Sequence, residues 1–160
     1  MNVVILIHVA ISLIAIITGF IVMSGMLDSR RMPSMTNTFL WTTILTNASG
    51  LIIPPLLFDK FLPSQAIAIL SLVLLAIACF ALYSQNLAGK WRWVYVLTAL
   101  ISLYLNTFVL VIQLFLRIPA LSALAPGAPP SGPAFGVVQL MVLAFFAFMI
   151  FRVIRRYHPA

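Results

Sequence analysis

Long apolar runs separated by short polar stretches dominate the hydrophobic pattern of this chain. Five runs reach the length of about 20 residues at which an α-helix crosses a bilayer. The pattern predicts helices over residues 3–27, 36–58, 64–85, 92–117 and 134–157. We expect Ser34 or Thr36 to cap the second helix. Pro54 and Pro55 should disturb its last turns, because neither supplies a backbone N–H.

The fourth helix differs from the others because its polar positions follow one face. At about 100° per residue, one line along it collects Arg92, Tyr95, Ser102, Asn106, Gln113 and Arg117. The other runs are apolar on all sides, so this polar stripe should face neighbouring helices. We therefore expect the other four helices to pack around the fourth.

The composition agrees with a membrane location. Of the 160 residues, 64% are hydrophobic and 7% are charged, and the mean hydropathy is +1.19. Such a chain has too little polar surface to coat a soluble globule. The predicted fold class is all-α, a polytopic integral membrane protein with a five-transmembrane-helix bundle in a single membrane domain, residues 1–160. The formal charge of +7 then reflects topology, and no nucleic-acid partner is expected.

Basic residues fall mostly on one predicted side of the membrane. That side receives Arg30, Arg31, Lys90, Arg92, Arg152, Arg155 and Arg156, whereas the other receives Lys60 and Arg117. The positive-inside rule places the first group in the cytoplasm, with the N-terminus outside and the C-terminus cytoplasmic. Positive charges follow the first apolar run instead of preceding it, so we expect a retained span. We expect lipid headgroup contacts at Arg152, Arg155 and Arg156.

The connection 118–133 is the one long loop of this pattern, and it is predicted to be external. It holds five prolines and two glycines and no charged residue, so it cannot be a regular helix over its length. Two interpretations stay open. The loop is either a flexible linker or a segment that lies on the membrane or on a partner.

Four polar side chains near the external ends of the helices could form a binding site. His8, Gln113 and Gln139 should lie within about one turn of each other in depth, beside Arg117. An unpaired amide in hydrocarbon costs on the order of several kcal/mol, so each group needs a partner. A pocket made by these residues would suit a quinone, a lipid headgroup or a tetrapyrrole.

The alternative is that the polar groups only hold helices together. We expect such interhelical polar contacts at Ser12, Asn47, Ser102 and Asn106. Asn47 and Asn106 should both lie near the midplane, where they could pair. The polar cluster is thus either a binding site or a set of helix contacts.

Several chemistries are disfavoured. A haem held by two histidines is unlikely because His8 and His158 lie towards opposite sides, although ligation by one histidine stays open. Cys79 is the only cysteine and there is no glutamate, so no metal site is expected. A nucleophile with a nearby base is also not evident. The chain is predicted not to be an enzyme.

Three segments resemble a family of small bacterial inner-membrane proteins that has no assigned activity. They are HVAISLIAIITG, TNASGLIIP and WRWVYVLTALISLYLNTFVLVIQLFLRIPALSALAP. The resemblance implies a helical fold and a multi-pass location in the cell inner (plasma) membrane, without catalytic residues. The loop GAPPSGP is richer in proline than the usual connection of that family.

The leading functional hypothesis is a non-enzymatic accessory or assembly subunit that packs against a larger membrane complex. The small size, the lack of reactive groups and the aromatic fifth helix favour it. A quinone-, lipid- or tetrapyrrole-binding protein is the alternative. A small channel or carrier is the weaker alternative, because Leu110 interrupts the polar stripe.

Overall fold

The described part of the chain is all-helical. The computed structural model describes residues 2–57 and 63–159, with the side chains of 54–57 left out. The helices are α1 (Val3–Leu27), α2 (Pro33–Leu57), α3 (Pro63–Cys79), α4 (Trp91–Arg117), α5 (Pro119–Leu124) and α6 (Pro133–Arg156). A π-helical segment, Phe80–Ser84, extends α3. The all-α prediction is confirmed for these residues, and helix ends differ from the predicted ones by a few residues.

The second helix begins earlier than predicted. Its first residue is Pro33, because a proline in the first turn lacks only an N–H that has no partner inside the helix. The predicted cap at Ser34 or Thr36 is therefore wrong, since both residues lie inside α2. Phe58, the predicted last residue, lies outside the described residues.

The other end of α2 stays helical through Pro54 and Pro55 to Leu57. The predicted disturbance of these turns therefore does not unwind the helix before Leu57. Pro55 has no N–H to offer the carbonyl of Leu51, four residues earlier. Gln65 of α3 supplies a replacement, with its Nε2 3.4 Å from that carbonyl oxygen. A side chain of the next helix thus compensates for the proline.

The polar stripe of α4 faces neighbouring helices from Tyr95 to Asn106, as predicted, whereas its end at Arg117 does not. This helix contacts α1, α2, α3, α5 and α6. Tyr95, Ser102 and Asn106 are buried, whereas Gln113 is half-buried and Arg117 is exposed. The most apolar 18-residue stretch of α4 is 39% buried, compared with 11% for that of α6. The fourth helix is therefore the central element, and α6 is peripheral.

A glycine permits the closest approach in the core. A Cβ added to Gly19 of α1 would lie 2.5 Å from Leu103 Cδ1 of α4 and 2.8 Å from Phe39 Cε1 of α2. Both of these side chains are fully buried. Small residues at helix interfaces allow such contacts in membrane proteins. Gly19 thus marks the point where α1, α2 and α4 meet.

Part of the 118–133 connection folds against the chain. Its first residues form α5, and Ala125, which follows that helix, is buried against a small cluster with Val111 and Phe115 of α4. Leu121 and Phe135 pack on the same cluster, whereas Leu124 is 61% exposed. The loop therefore covers the adjoining ends of α4 and α6 instead of extending away as a linker.

Within residues 2–57 and 63–159, four helical segments are long and apolar enough to cross a membrane: Val3–Leu27, Pro63–Ser84, Trp91–Arg117 and Pro133–Arg156. Large apolar side chains are exposed on their outer faces, among them Ile17, Val73 and Met141. In water such faces would be costly, whereas in a bilayer they contact lipid tails. The architecture therefore fits a helical membrane bundle.

Candidate functional site

His8 is held at the interface between α1 and α2. Its Nδ1 lies 2.6 Å from Ser49 Oγ, and Ser49 Oγ lies 3.0 Å from the carbonyl oxygen of Thr46. When the serine hydroxyl donates its one hydrogen to Thr46, the tautomer that fits the His8 contact donates from Nδ1. The lone pair of the neutral ring is then on Nε2. In this tautomer the half-buried imidazole offers Nε2 as a hydrogen-bond acceptor.

Gln113 and Arg117 form a pair on the last two turns of α4. The Nε of Arg117 donates to Oε1 of Gln113 at 3.1 Å. Side chains four residues apart on a helix are neighbours, so this contact needs no other helix. Asp59, which the sequence places on the same predicted side of the membrane as an available counter-ion for Arg117, lies outside the described residues.

Gln139 connects α6 to α4. Its Nε2 donates to the backbone oxygen of Phe108 at 3.1 Å, and its Oε1 is buried without a hydrogen-bond partner among the described residues. Of the four predicted binding residues, the hydrogen bonds bring together Gln113 and Arg117. His8 and Gln139 bond to other partners, Ser49 and Phe108. Joint binding by all four stays a prediction.

The residues predicted as interhelical contacts bond mainly within their own helices. Ser12 donates to Val9, Ser102 donates to Thr98, and Asn47 donates to Thr43 through backbone oxygens three or four residues earlier. Such a carbonyl is within reach in every helix. A partner on another helix is within reach only when both helices are rotated about their axes so that the two side chains face each other. Asn106 differs, because its Nδ2 is buried without a partner in the described part of the chain.

The sequence interpretation missed a charged hydrogen-bond link between α4 and α6. The Nη1 of Arg92, at the start of α4, donates to the backbone oxygens of Ile154 at 2.9 Å and Tyr157 at 2.6 Å. These carbonyls belong to the end of α6, where helical partners run out. A basic residue is a known cap for helix C-termini, so the arginine at one predicted interface could have suggested this role.

Two further contacts complete this end of the bundle. The N–H of His158 donates to Ser29 Oγ at 2.7 Å, which ties the C-terminal residues to the turn between α1 and α2. Burial raises the pKa of the Tyr157 phenol, and the nearby Arg31 acts in the opposite direction. We call this region, with the turn 28–31, the start of α4 and the end of α6, the basic end.

A lateral groove lies between α1, α4 and α6. It has a volume of about 320 Å³ and is lined by Phe20, Thr107, Val138, Met141, Val142, Phe145 and Phe146. The hydroxyl of Thr107, its one polar side chain, donates to the backbone oxygen of Leu103 at 2.9 Å. Sites for small molecules usually offer a few free polar groups, which this groove does not have among its lining residues. Its chemistry suits an apolar occupant.

Comparisons with known proteins give no assignment: no family model, curated protein or solved structure matches the chain.

Proposed function

We propose that this chain is a non-enzymatic accessory or assembly subunit that packs against a larger membrane complex through α6. The observation that carries the proposal is the sparse packing of α6, of which 11% of the most apolar stretch is buried. Its outer face presents Phe145, Phe148 and Phe151, each exposed. The lateral groove beside this face offers an apolar recess for side chains of a second protein. Close van der Waals packing of side chains drives helix association in lipid.

We also propose five spans, with the N-terminus outside and the C-terminus cytoplasmic, in a cell inner membrane. The described part of α2 is rich in threonine and asparagine, which separates it from the four apolar segments. In support of a fifth crossing, α1 and α2 both have 25 residues and pack along each other, and α2 also contacts α3. At 1.5 Å per residue, α2 is about 37 Å long, enough for the hydrocarbon core.

Filling the lateral groove tests the subunit proposal. Met141, which is 67% exposed, lines the groove, and Met141→Trp would occupy the recess. Leu70→Trp is the matched control, because Leu70 is 51% exposed on α3. After gentle extraction from the native membrane, we expect the parent and Leu70→Trp to migrate in a larger assembly and Met141→Trp to migrate alone. A parent protein that is always a monomer would contradict the proposal.

A second candidate function is ligand binding at His8, and the His8–Ser49 contact favours it. A histidine that binds a metal typically donates its other ring nitrogen to a hydrogen-bond acceptor, and the same geometry suits acceptance of a hydroxyl proton. A tetrapyrrole metal, a reduced quinone or a lipid headgroup could use Nε2 in this way. Gly50 lies beside the ring, and a Cβ added to it would be in van der Waals contact with His8 Cε1 at 3.7 Å.

Extraction of the protein with its native ligands tests this candidate. We expect a chromophore by absorption, or a bound quinone or lipid by mass spectrometry, that disappears in His8→Leu and decreases in Ser49→Ala. Ser12→Ala is the control, because the Ser12 hydroxyl bonds to its own helix. Gln113→Leu reports whether the predicted pocket extends to α4. Extracted protein that carries no such molecule, or equal retention in His8→Leu, would exclude the candidate.

A further inference from the structure

Two arginines near the end of α6 lie over phenylalanine rings of the same helix. The guanidinium carbon of Arg152 is 5.6 Å from the ring centroid of Phe148, and that of Arg155 is 4.3 Å from the centroid of Phe151. Each ring precedes its arginine by four residues, the spacing that places side chains on one face. Since helical side chains tilt towards the N-terminus, each guanidinium is directed back along the apolar face. All four side chains are exposed.

These guanidinium groups have few competing anions. The sequence contains two carboxylate side chains, Asp28 and Asp59. Asp28 lies 3.5 Å from the guanidinium of Arg30, and Asp59 lies outside the described residues. Within the described part of the chain, no ion pair engages Arg152 or Arg155. Their hydrogen-bond donors are available to an external anion.

The backbone beneath these arginines is fixed by other elements. Arg92 of α4 donates to the carbonyl oxygens of Ile154 and Tyr157, and His158 is bonded to Ser29. The last turn of α6 is therefore anchored on both sides of Arg155. A binding surface whose backbone is already ordered loses less conformational entropy when a ligand arrives. The stacked rings restrict the two arginine side chains further.

We propose that Arg152, Arg155 and the adjacent Arg156, together with Phe148 and Phe151, form a binding site for an anionic phospholipid. The phosphate accepts hydrogen bonds from the guanidinium forks, a geometry that arginine satisfies in bidentate fashion. The acyl chains lie along the phenyl rings and the apolar face of α6. This arrangement is more specific than a general excess of positive charge, because it uses stacked pairs at the junction of apolar and basic surfaces. The site shares Phe148 and Phe151 with the face of α6 proposed for the larger complex, and its test uses the purified chain, in which that face is uncovered.

The test measures lipid binding by the purified full-length protein. Delipidated protein in neutral detergent is titrated with phosphatidylglycerol or phosphatidylcholine, and bound lipid is counted by native mass spectrometry. We expect a preference for phosphatidylglycerol of about tenfold or more, since each basic group near an anionic lipid contributes appreciably. Inorganic phosphate at equal concentration should not displace the lipid, because it lacks the acyl chains.

Matched variants distinguish a specific lipid site on α6 from general attraction between basic residues and anionic lipid. Arg152→Gln with Arg155→Gln should lower the affinity for phosphatidylglycerol about tenfold, because it removes two charges at the site. Arg30→Gln with Lys90→Gln removes the same charge from exposed positions at the basic end and should change the affinity about twofold at most. Phe148→Leu with Phe151→Leu keeps every charge and should lower the affinity about threefold, because the stacking is lost.

The outcomes that would overturn the proposal are distinct. Equal losses in the two charge-removing variants would mean diffuse attraction, and unchanged binding in the phenylalanine variant would mean that the rings have no role. Equal binding of the two lipids by the parent would also refute it. Since all substituted side chains are exposed, a melting measurement should give parent-like stability. If the arginine variant does not fold, the phenylalanine variant still decides the question.

Discussion

Replacing Gly19 by alanine should loosen the centre of the bundle. The added Cβ would lie 2.5 Å from Leu103 Cδ1 and 2.8 Å from Phe39 Cε1, whereas carbon atoms in contact prefer about 3.5–4.0 Å. Both neighbours are fully buried, so neither can move by about 1 Å without displacing others. Overpacking of this kind costs about 1–3 kcal/mol, and the better helix propensity of alanine returns up to about 1 kcal/mol. We expect a net loss of about 1–2 kcal/mol.

Thermal unfolding in detergent, followed by circular dichroism, measures this effect. For a chain of this size, the loss corresponds to a midpoint lowered by about 2–8 °C. Gly136→Ala is the control, because a Cβ on this α6 glycine would meet nothing within 4 Å. Leu103→Ala should partly rescue Gly19→Ala in a double-mutant cycle, since it removes the closest atom. Equal midpoints for Gly19→Ala and Gly136→Ala would refute the close three-helix contact.

Three further substitutions test the polar links, each by the same unfolding measurement. Arg92→Met should lower stability by about 2 kcal/mol, because two carbonyls at the end of α6 lose a charged donor. The control Lys90→Met, at an exposed position, should change stability by less than about 0.5 kcal/mol, and equal effects of the two variants would contradict the capping role of Arg92. Gln65→Leu should lower stability by about 1 kcal/mol in the parent and by less in a Pro55→Ala background, where an N–H is restored for the Leu51 carbonyl. An equal loss in both backgrounds would mean that the Gln65 amide does not compensate for Pro55. Asn106→Leu should leave stability unchanged or raise it, because it removes a buried amide nitrogen without a hydrogen-bond partner in the described structure. A loss of stability above about 1 kcal/mol would show that this nitrogen has a hydrogen-bond partner in the membrane.

The central position of α4 could be predicted from the sequence, because the polar stripe that marks it lies within α4 itself. The sequence shows the spacing of Tyr95, Ser102 and Asn106 directly, and these residues are buried as expected. The extent of the apolar runs predicted most helix boundaries for the same reason. The start of α2 was misplaced because Ser34 and Thr36 fit a cap pattern, while Pro33 fits the first helical turn equally well.

Partners of the polar side chains were harder to predict. Similar depth suggested that Asn47 and Asn106 could pair, but depth does not specify the rotation of each helix about its axis. Asn47 bonds to the carbonyl of Thr43, which is close in every helical conformation. Gln139 and Arg92 reach backbone carbonyls of other helices, and carbonyls carry no residue-specific signal in the sequence. Sequence patterns therefore located the polar groups without identifying what they contact.

The positions of the contacts made by Arg92 and Gln139 leave the outward face of α6 open to a partner protein. Arg92 fixes the end of α6, and Gln139 fixes its first half to α4 through the backbone of Phe108. Between these points the outward face of α6 has exposed apolar side chains and borders the lateral groove. A helix that is anchored towards both ends and uncovered along one side presents a preformed surface, so a second membrane protein could bind it with little ordering cost. Weakening either anchor should therefore reduce assembly with a partner even when the outward face is unchanged.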